Sequence, residues 1–366
     1  MRDERNLQYS IDGGKKLSKI DDIRGFINAE HLDAVLLSDE MEVSWATGFT
    51  GDDSHCLITK DEAVFYTDFR YMEQAHFQIS GFEIVETGYA ERLKRISHSI
   101  GKTVGIDFKR TSLSEKAEFE SVFCGAVFRD ISPFLDELRM IKSQDEIMRQ
   151  KEGAKITQDA FHHVLKLIKL GMSENDINAE LIYFFNKNGA EPSFKPIVAS
   201  GENGSMPHAT VSNRRIKNGD LITMDFGVKY KGICTDFTRT IAVGGIEKDK
   251  QIVYNTVNNA HKAALSALKP GTTGKDVDAA ARDVIDNAGY RGRFGHGTGH
   301  GVGLEIHEAP RLSVASSDVL RPGMVVTVEP GIYIPKEFGV RIEDMLLITK
   351  DGYENFYTAE KEIIII

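Results

Sequence analysis

Apolar positions in the first third of the chain follow two alternating spacings. Leu17, Ile20, Ile23 and Ile27 recur three and four residues apart and predict a helix over Leu17–Ala29. Asp33–Leu37 closes on a continuous apolar run, the mark of a buried strand. Leu57-Ile58 and Ala63–Tyr66, separated by the polar Thr59-Lys60-Asp61-Glu62, predict a hairpin. A helix is expected over Tyr71–Ile79, a strand over Thr103–Ile106 and a helix over Leu113–Phe123. Strands alternating with helices predict an α/β domain. Ile131-Ser132-Pro133 begins its exit, and Ser143 in Lys142–Glu146 reads as the cap of a new helix. The expected organisation is a flexible tail at residues 1–16, an α/β domain at 17–137 and a second domain at 141–366.

The second domain contains a repeat. Leu165–Ala190 matches Leu265–Tyr290 without a gap, with Gly171 falling on Gly271, Asp176 on Asp276 and Gly189 on Gly289, one hundred positions apart. Both copies read as a helix, a glycine stop, a capped second helix and another glycine stop. Asn218–Gly227 then matches Pro322–Gly331, with Thr223 on Thr327 and Asp225 on Glu329. Two related half-domains each deliver a carboxylate from the same point of a strand.

Composition narrows the class. The chain has 366 residues, enough for two cores, with a 41% apolar and 27% charged content that is ordinary for a globular protein. A net charge of -10 argues against a nucleic-acid surface. No apolar run approaches the ~18 residues a membrane span needs, and the charged start of the chain is no secretory signal. Cys56, Cys124 and Cys234 are scattered and odd in number, which fits free thiols in a reducing, cytoplasmic setting.

The candidate chemistry centres on His296–Glu308, HGTGHGVGLEIHE, a stretch too rich in glycine for a helix interior. Its glycines are expected to bring backbone close to a ligand. Position 311 is Arg311, so the helix-borne zinc signature is absent. Val302 and Leu304 occupy the third glycine positions of a dinucleotide fingerprint. Pro270–Asp276 lacks the spacing of a phosphate loop. In the first half-domain, Asp225 and Asp236 flank a hairpin; a Tyr230-Lys231 turn would set them directly opposite each other. Like charges there destabilise a ladder, so a cation between them or a retained proton is expected. Glu329 and Glu343 repeat the arrangement across a longer loop. Four carboxylates and one imidazole make an oxygen-rich pocket that two divalent ions neutralise, the composition of a paired-metal hydrolytic site favouring Mn, Co or Fe.

Asp225, Asp236, His300, Glu329 and Glu343, in the motifs MDFGVKYKGICTD, HGTGHGVGLEIHE, VEPGIY and GVRIED, resemble in order and context the dinuclear ligands of the pita-bread metallopeptidases. WATGFTG and YTDFRYMEQA resemble the creatinase-type N-terminal domain of the proline-specific branch, which includes prolidase and Xaa-Pro aminopeptidase. The resemblance implies an α/β N-terminal domain followed by an α+β pita-bread catalytic domain with an internal pseudo-two-fold repeat. It also implies a hydrolase that cleaves the Xaa-Pro bond of dipeptides or short peptides by attack of a metal-bridging water.

By the same resemblance, Asp225 and Glu343 bridge or chelate the ions, Asp236 holds one, and His300 with Glu329 completes the other. Glu329 moves the proton, His208 and His307 stabilise the tetrahedral species, and His296, Arg341 and Tyr333 lie on the substrate side. The implied cofactor is two divalent ions, Mn or Co first, then Zn or Fe. The implied partners are a short peptide and a second copy of the chain, with no nucleic acid or membrane. A methionine-aminopeptidase-like or general aminopeptidase is the alternative. A non-enzymatic binding module on the same fold is the remote one, since such relatives are expected to have lost ligands.

Overall fold

The computed structural model describes residues 19–366. The expected tail at residues 1–16 lies outside them. The chain divides into two compact units between Leu135 and Asp136.

The first unit runs α1 (Lys19–Ala29), β1 (Ala34–Leu37), α2 (Glu40–Thr47), β2 (His55–Thr59), β3 (Ala63–Thr67), α3 (Met72–Gln78), β4 (Glu83–Glu86), α4 (Tyr89–Ser99), β5 (Thr103–Ile106), α5 (Leu113–Val122) and β6 (Val127–Asp130). Its sheet has the order β4-β3-β2-β1-β5-β6. β1, β2 and β3 pair antiparallel, while β4, β5 and β6 join parallel. The hairpin and the helices over α1, α3 and α5 match the periodicity. The two strands that periodicity missed are the sheet's edges: Glu83-Ile84-Val85-Glu86 and Val127-Phe128-Arg129-Asp130 keep much of their surface in water, so neither carries the apolar run of a buried strand. Ile131-Ser132-Pro133, where the exit was expected to begin, opens α6 (Ser132–Met140), the helix within which the two units divide. Pro133 sits in the first turn, where its missing N–H costs nothing.

A buried histidine gives this unit a pH liability. His55 is 5% exposed and its Nδ1 accepts from Arg92 Nη1 at 3.1 Å. Burial, and then the Arg92 charge, push its pKa from 6.5 down to about 3, with Asp53 opposing. The unfolded chain therefore takes up a proton below about pH 6.5 that the folded chain refuses. Stability present above that pH is lost as pH falls toward 3, by about 1.4 kcal/mol per unit. Urea unfolding at pH 7.5 and pH 5 is expected to show this loss, and His55→Gln to flatten that part of it. An unchanged slope in the variant would show that His55 contributes nothing.

In the second unit, α7 (Gln144–Leu165) begins with the Ser143–Glu146 capping box and is followed by α8 (Glu174–Lys187). After β7 (Glu191–Pro192) come β8 (Ile197–Ser200), β9 (Leu221–Asp225), β10 (Val228–Tyr230), β11 (Ile233–Cys234) and β12 (Thr238–Ala242). The second half repeats this with α9 (Lys248–Ala267), α10 (Gly274–Ile285), β13 (Gly299–Gly301), β14 (Glu308–Leu312), β15 (Val325–Val328), β16 (Gly331–Ile334), β17 (Phe338–Arg341), β18 (Asp344–Ile348) and β19 (Tyr353–Asn355).

The repeat is visible in detail. Ser173 with Asp176 caps α8, and Thr273 with Asp276 caps α10. Gly171 and Gly271 both hold φ +84°, a left-handed conformation that glycine adopts without strain. One core gathers α7, α8 and β9 through Phe161, Leu181, Phe185 and Met224. The other gathers α9, α10 and β15 through Val257, Ala264, Val277 and Val326. β8-β9-β12 forms one sheet, and β13-β15-β18 lies at the heart of another. Thr238 pairs with Asp225, and the register that pairs Val328 with Asp344 sets Glu343 opposite Glu329. Thr238 and Glu343 are thus equivalent positions, and the two residues also pair with each other across the seam of the halves.

Candidate metal centre and active site

The first half's carboxylates come from one hairpin, with a register that differs from the expected one. The turn is Lys231-Gly232, not Tyr230-Lys231, because Tyr230 pairs with Ile233. Both turn residues have positive φ, 48° and 80°, as a tight hairpin of matching twist requires, and glycine fits the second place. Asp225 therefore faces Thr238, and Asp236 falls beside Gly227, one diagonal step away. A side chain on Gly227 would overlap the Thr235 carbonyl, which is why the ladder passes there only with glycine. Arg341 balances one of the two aspartates: its Nη2 donates to Asp225 Oδ2 at 2.5 Å, while Asp236 faces His300.

The second half adds Glu329 at the end of β15, Glu343 just before β18, and His300 in β13. The glycines around His300 have a packing role that the sequence reading did not anticipate. A Cβ on Gly299 would overlap the Thr327 carbonyl, and one on Gly301 the Ala309 carbonyl. They admit neighbouring strands and so bring the His300 ring up against the carboxylates, and Gly299, with Gly297, also lines the cavity in front of them.

Asp236, His300 and Glu343 each offer a ligand atom within 4.8 Å of one another. His300 Nε2 lies 3.3 Å from Glu329 Oε1 and 3.6 Å from Asp236 Oδ2. Its Nδ1 lies 3.1 Å from the Gly301 carbonyl, which only accepts, so Nδ1 carries a proton. Nε2 then turns a lone pair toward two carboxylates, and a positive centre is required there. Asp225 Oδ1 and Glu343 Oε1 are buried without a hydrogen-bond partner. Burial pushes the carboxyls of Asp225, Asp236 and Glu343 above their ordinary range; neighbouring carboxylates add to this, and Arg341 opposes it at Asp225. Burial also works against Glu329; when no cation is bound and His300 takes a second proton on Nε2, that hydrogen bond and charge, with His296 and Arg341, hold the Glu329 carboxyl at about 2. Orphaned oxygens, converging lone pairs and strained carboxylates fit divalent cations, which cure all three.

These groups open into a cavity of 410 Å³. His208 and His307 are exposed side chains on its wall, and the His307 ring lies 4.4 Å from that of His300, edge to face. Burial and His300 lower the His307 pKa to about 4. His296 lines the cavity and is linked to Tyr333 behind it. Arg341 Nη1 donates to Tyr333 Oη at 2.7 Å, so the phenol donates onward to His296 Nε2 at 2.9 Å. Every residue singled out from the sequence lies at or directly behind this one cavity.

Others escaped the sequence reading. Thr238 Oγ1 donates to Glu343 Oε2 at 2.6 Å, and only its place two residues after Asp236 hinted at it. Arg311 lines the cavity, its side chain in no ion pair among the described residues. Its signal was its spacing, four after His307. Phe194 and Ile197 supply an apolar wall.

The comparisons agree with this geometry. Residues 148–350 match the metallopeptidase family M24, and residues 19–141 match the creatinase/prolidase N-terminal domain. The chain is similar to an Xaa-Pro dipeptidase of Bacillus anthracis, with 42% identity, 95% of this chain and 99% of that one covered, and a TM-score of 0.91. It is similar to an X-Pro aminopeptidase from Thermotoga maritima at 34% identity, covering 92% and 98% with a TM-score of 0.88. An Xaa-Pro dipeptidase of Pyrococcus horikoshii is 36% identical over 352 residues, 94% of this chain and 98% of that protein. The chain belongs to the metallopeptidase family M24, carries a creatinase/prolidase N-terminal domain, and is a metal-dependent hydrolase of peptides.

Proposed function

We propose that this protein hydrolyses the Xaa-Pro bond of dipeptides, using two divalent ions held by Asp225, Asp236, His300, Glu329 and Glu343. The observation that carries the reading is the set of lone pairs where His300 Nε2 meets Asp236, Glu329 and Glu343, with Asp225 held beside them by Arg341. When bound, the ions supply Lewis-acid polarisation of the scissile carbonyl and an acidified attacking water. Glu329, ionised, takes a proton and returns it to the leaving proline nitrogen. His208 and His307 present N–H groups to the carbonyl oxygen as it gains charge. Arg341 fixes Asp225 on one side and Tyr333 on the other, and Tyr333 fixes His296. Oxygen-rich ligation supports Mn or Co, with Zn or Fe next.

Arg311 supports a dipeptide over a longer chain. A free guanidinium on the cavity wall matches the carboxylate that a dipeptide ends in and that a longer peptide lacks at the same distance. The family resemblance supports a homodimer. Buried free Cys56 and Cys234 support a reducing, cytoplasmic setting. Among the described residues no helix is long and apolar enough to cross a membrane, and the acidic charge supports the absence of a nucleic-acid partner. Protein stripped of metal and reloaded with Mn should cleave Ala-Pro far faster than Ala-Pro-Ala or Met-Ala-Ser. Arg311→Met is expected to raise KM for Ala-Pro by roughly 10–100-fold, the loss of about one charge-assisted pair, and to leave Ala-Pro-amide unaffected. Release of alanine from Ala-Pro-Ala at the Ala-Pro rate would favour an aminopeptidase, and loss of both substrates equally would remove Arg311 from this role.

A further inference from the structure

Arg239 is buried at 1% exposure in β12, between the metal centre and the far side of the sheet. Its five N–H donors are all engaged. Nε donates to the Glu360 carbonyl at 3.0 Å, and Nη2 to Asp344 Oδ1 at 2.7 Å and the Ala359 carbonyl at 3.2 Å. Nη1 donates to the Thr238 carbonyl at 2.9 Å and to the Glu343 carbonyl. Thr238 and Glu343 are the equivalent positions that pair across the seam, and the Glu343 N–H itself donates to the Thr238 carbonyl at 3.1 Å. Arg239 and Asp344, the next residues along, are equivalent in the same way. The ion pair therefore lies on the pseudo-two-fold, directly behind the point where the two halves present their carboxylates. Asp344 is held in turn by Asn355 Nδ2 at 2.6 Å and Lys361 Nζ at 2.9 Å.

A buried arginine and aspartate are a costly way to fill a core, and apolar residues of like volume are commonly as stable or more so. What an apolar pair cannot do is grip four main-chain carbonyls on both sides of a seam. We infer that Arg239, with Asp344 and the segment 359–361, is a positioning device for Glu343: it fixes the separation between Glu343 and the first half's aspartates, and thereby the fit of the centre to metal. It touches neither substrate nor ion. The Ile363–Ile366 run, otherwise without a function, anchors this segment by pairing alongside β12 through Ala242 and Ile365.

The inference rests on Glu343 being a metal ligand, and one series separates the two. Metal-free full-length protein would be titrated calorimetrically with Mn, and its thermal unfolding recorded in EDTA, for the wild type, Glu343→Gln, Arg239→Lys, Asp344→Asn and Lys361→Met. Arg239→Lys keeps the charge and loses the fork. It and Asp344→Asn are expected to weaken Mn binding roughly 10–100-fold, the usual cost of losing a group behind a ligand, with kcat falling and KM for Ala-Pro nearly constant. Lys361→Met, at the rim, should move the same way several-fold and keeps the idea testable if the buried variants fail to fold. Variants with a lower melting temperature but wild-type Mn affinity would overturn it, because Arg239 would then be only a core ion pair. Wild-type Mn affinity in Glu343→Gln would instead overturn the reading of the centre.

Discussion

Asp236→Ala is expected to lose hydrolysis by at least about a thousandfold, roughly 4 kcal/mol of barrier, and yet to fold at least as well as the wild type in EDTA. The second half of that expectation comes from the electrostatics. Asp236 is 4% exposed, and its carboxyl is pushed up by burial, then by Asp225 and Glu329. Without metal it is a liability, and removing it relieves repulsion on Asp225 and Glu343. With metal the sign reverses: the wild type gains stability by mass action and the variant does not. Melting temperatures measured in EDTA and in Mn, for both proteins, separate the two effects. A variant that melts far lower in EDTA would mean that Asp236 holds the fold, and one that keeps full activity would end the two-metal reading.

His307→Ala is expected to lower kcat for Ala-Pro by about 10²–10³-fold, the range for removing one oxyanion donor, with Mn binding intact. At neutral pH the ring is uncharged, since burial and His300 hold its pKa at about 4. It therefore acts as an N–H donor whose value grows as the carbonyl oxygen gains charge. The loss should fall on kcat and leave KM nearly unchanged, because ground-state substrate gains little from it. His208→Ala, on the same wall, is expected to behave alike. A rise in KM alone would make these histidines binding groups rather than stabilisers of the tetrahedral species.

The fold was legible where burial leaves a period in the sequence. α1, β1, the β2–β3 hairpin and the capped starts of α7, α8 and α10 carry such marks. The edge strands β4 and β6 did not, because exposed positions are free to be polar. α2 was missed although Asp39 caps its start and Gly48 ends it in the left-handed region, a signal available to capping rules but not to periodicity. At the site, residue types and motif order brought every candidate to one cavity. Register was the weak point: a turn misplaced by one residue changed which side chain Asp225 faces. The pairing of Arg341 with Asp225, not with the nearby Glu343, was invisible too, because it joins residues 116 positions apart. The roles of Thr238, Arg239 and Arg311 depend on such long-range contacts, which no local pattern encodes.

The seam between the half-domains has a thermodynamic consequence. Each half owns a helix pair, the two apolar clusters borrow residues across the seam, Val325 and Met345 in one and Leu221 and Ala242 in the other, and neither half owns a complete set of ligands. An ion seated there acts as a clasp between two bodies, and its binding energy enters the work of parting them. At an ion concentration about a thousand times its dissociation constant this adds about 4 kcal/mol, so chelation loosens the join between the halves as well as silencing the chemistry.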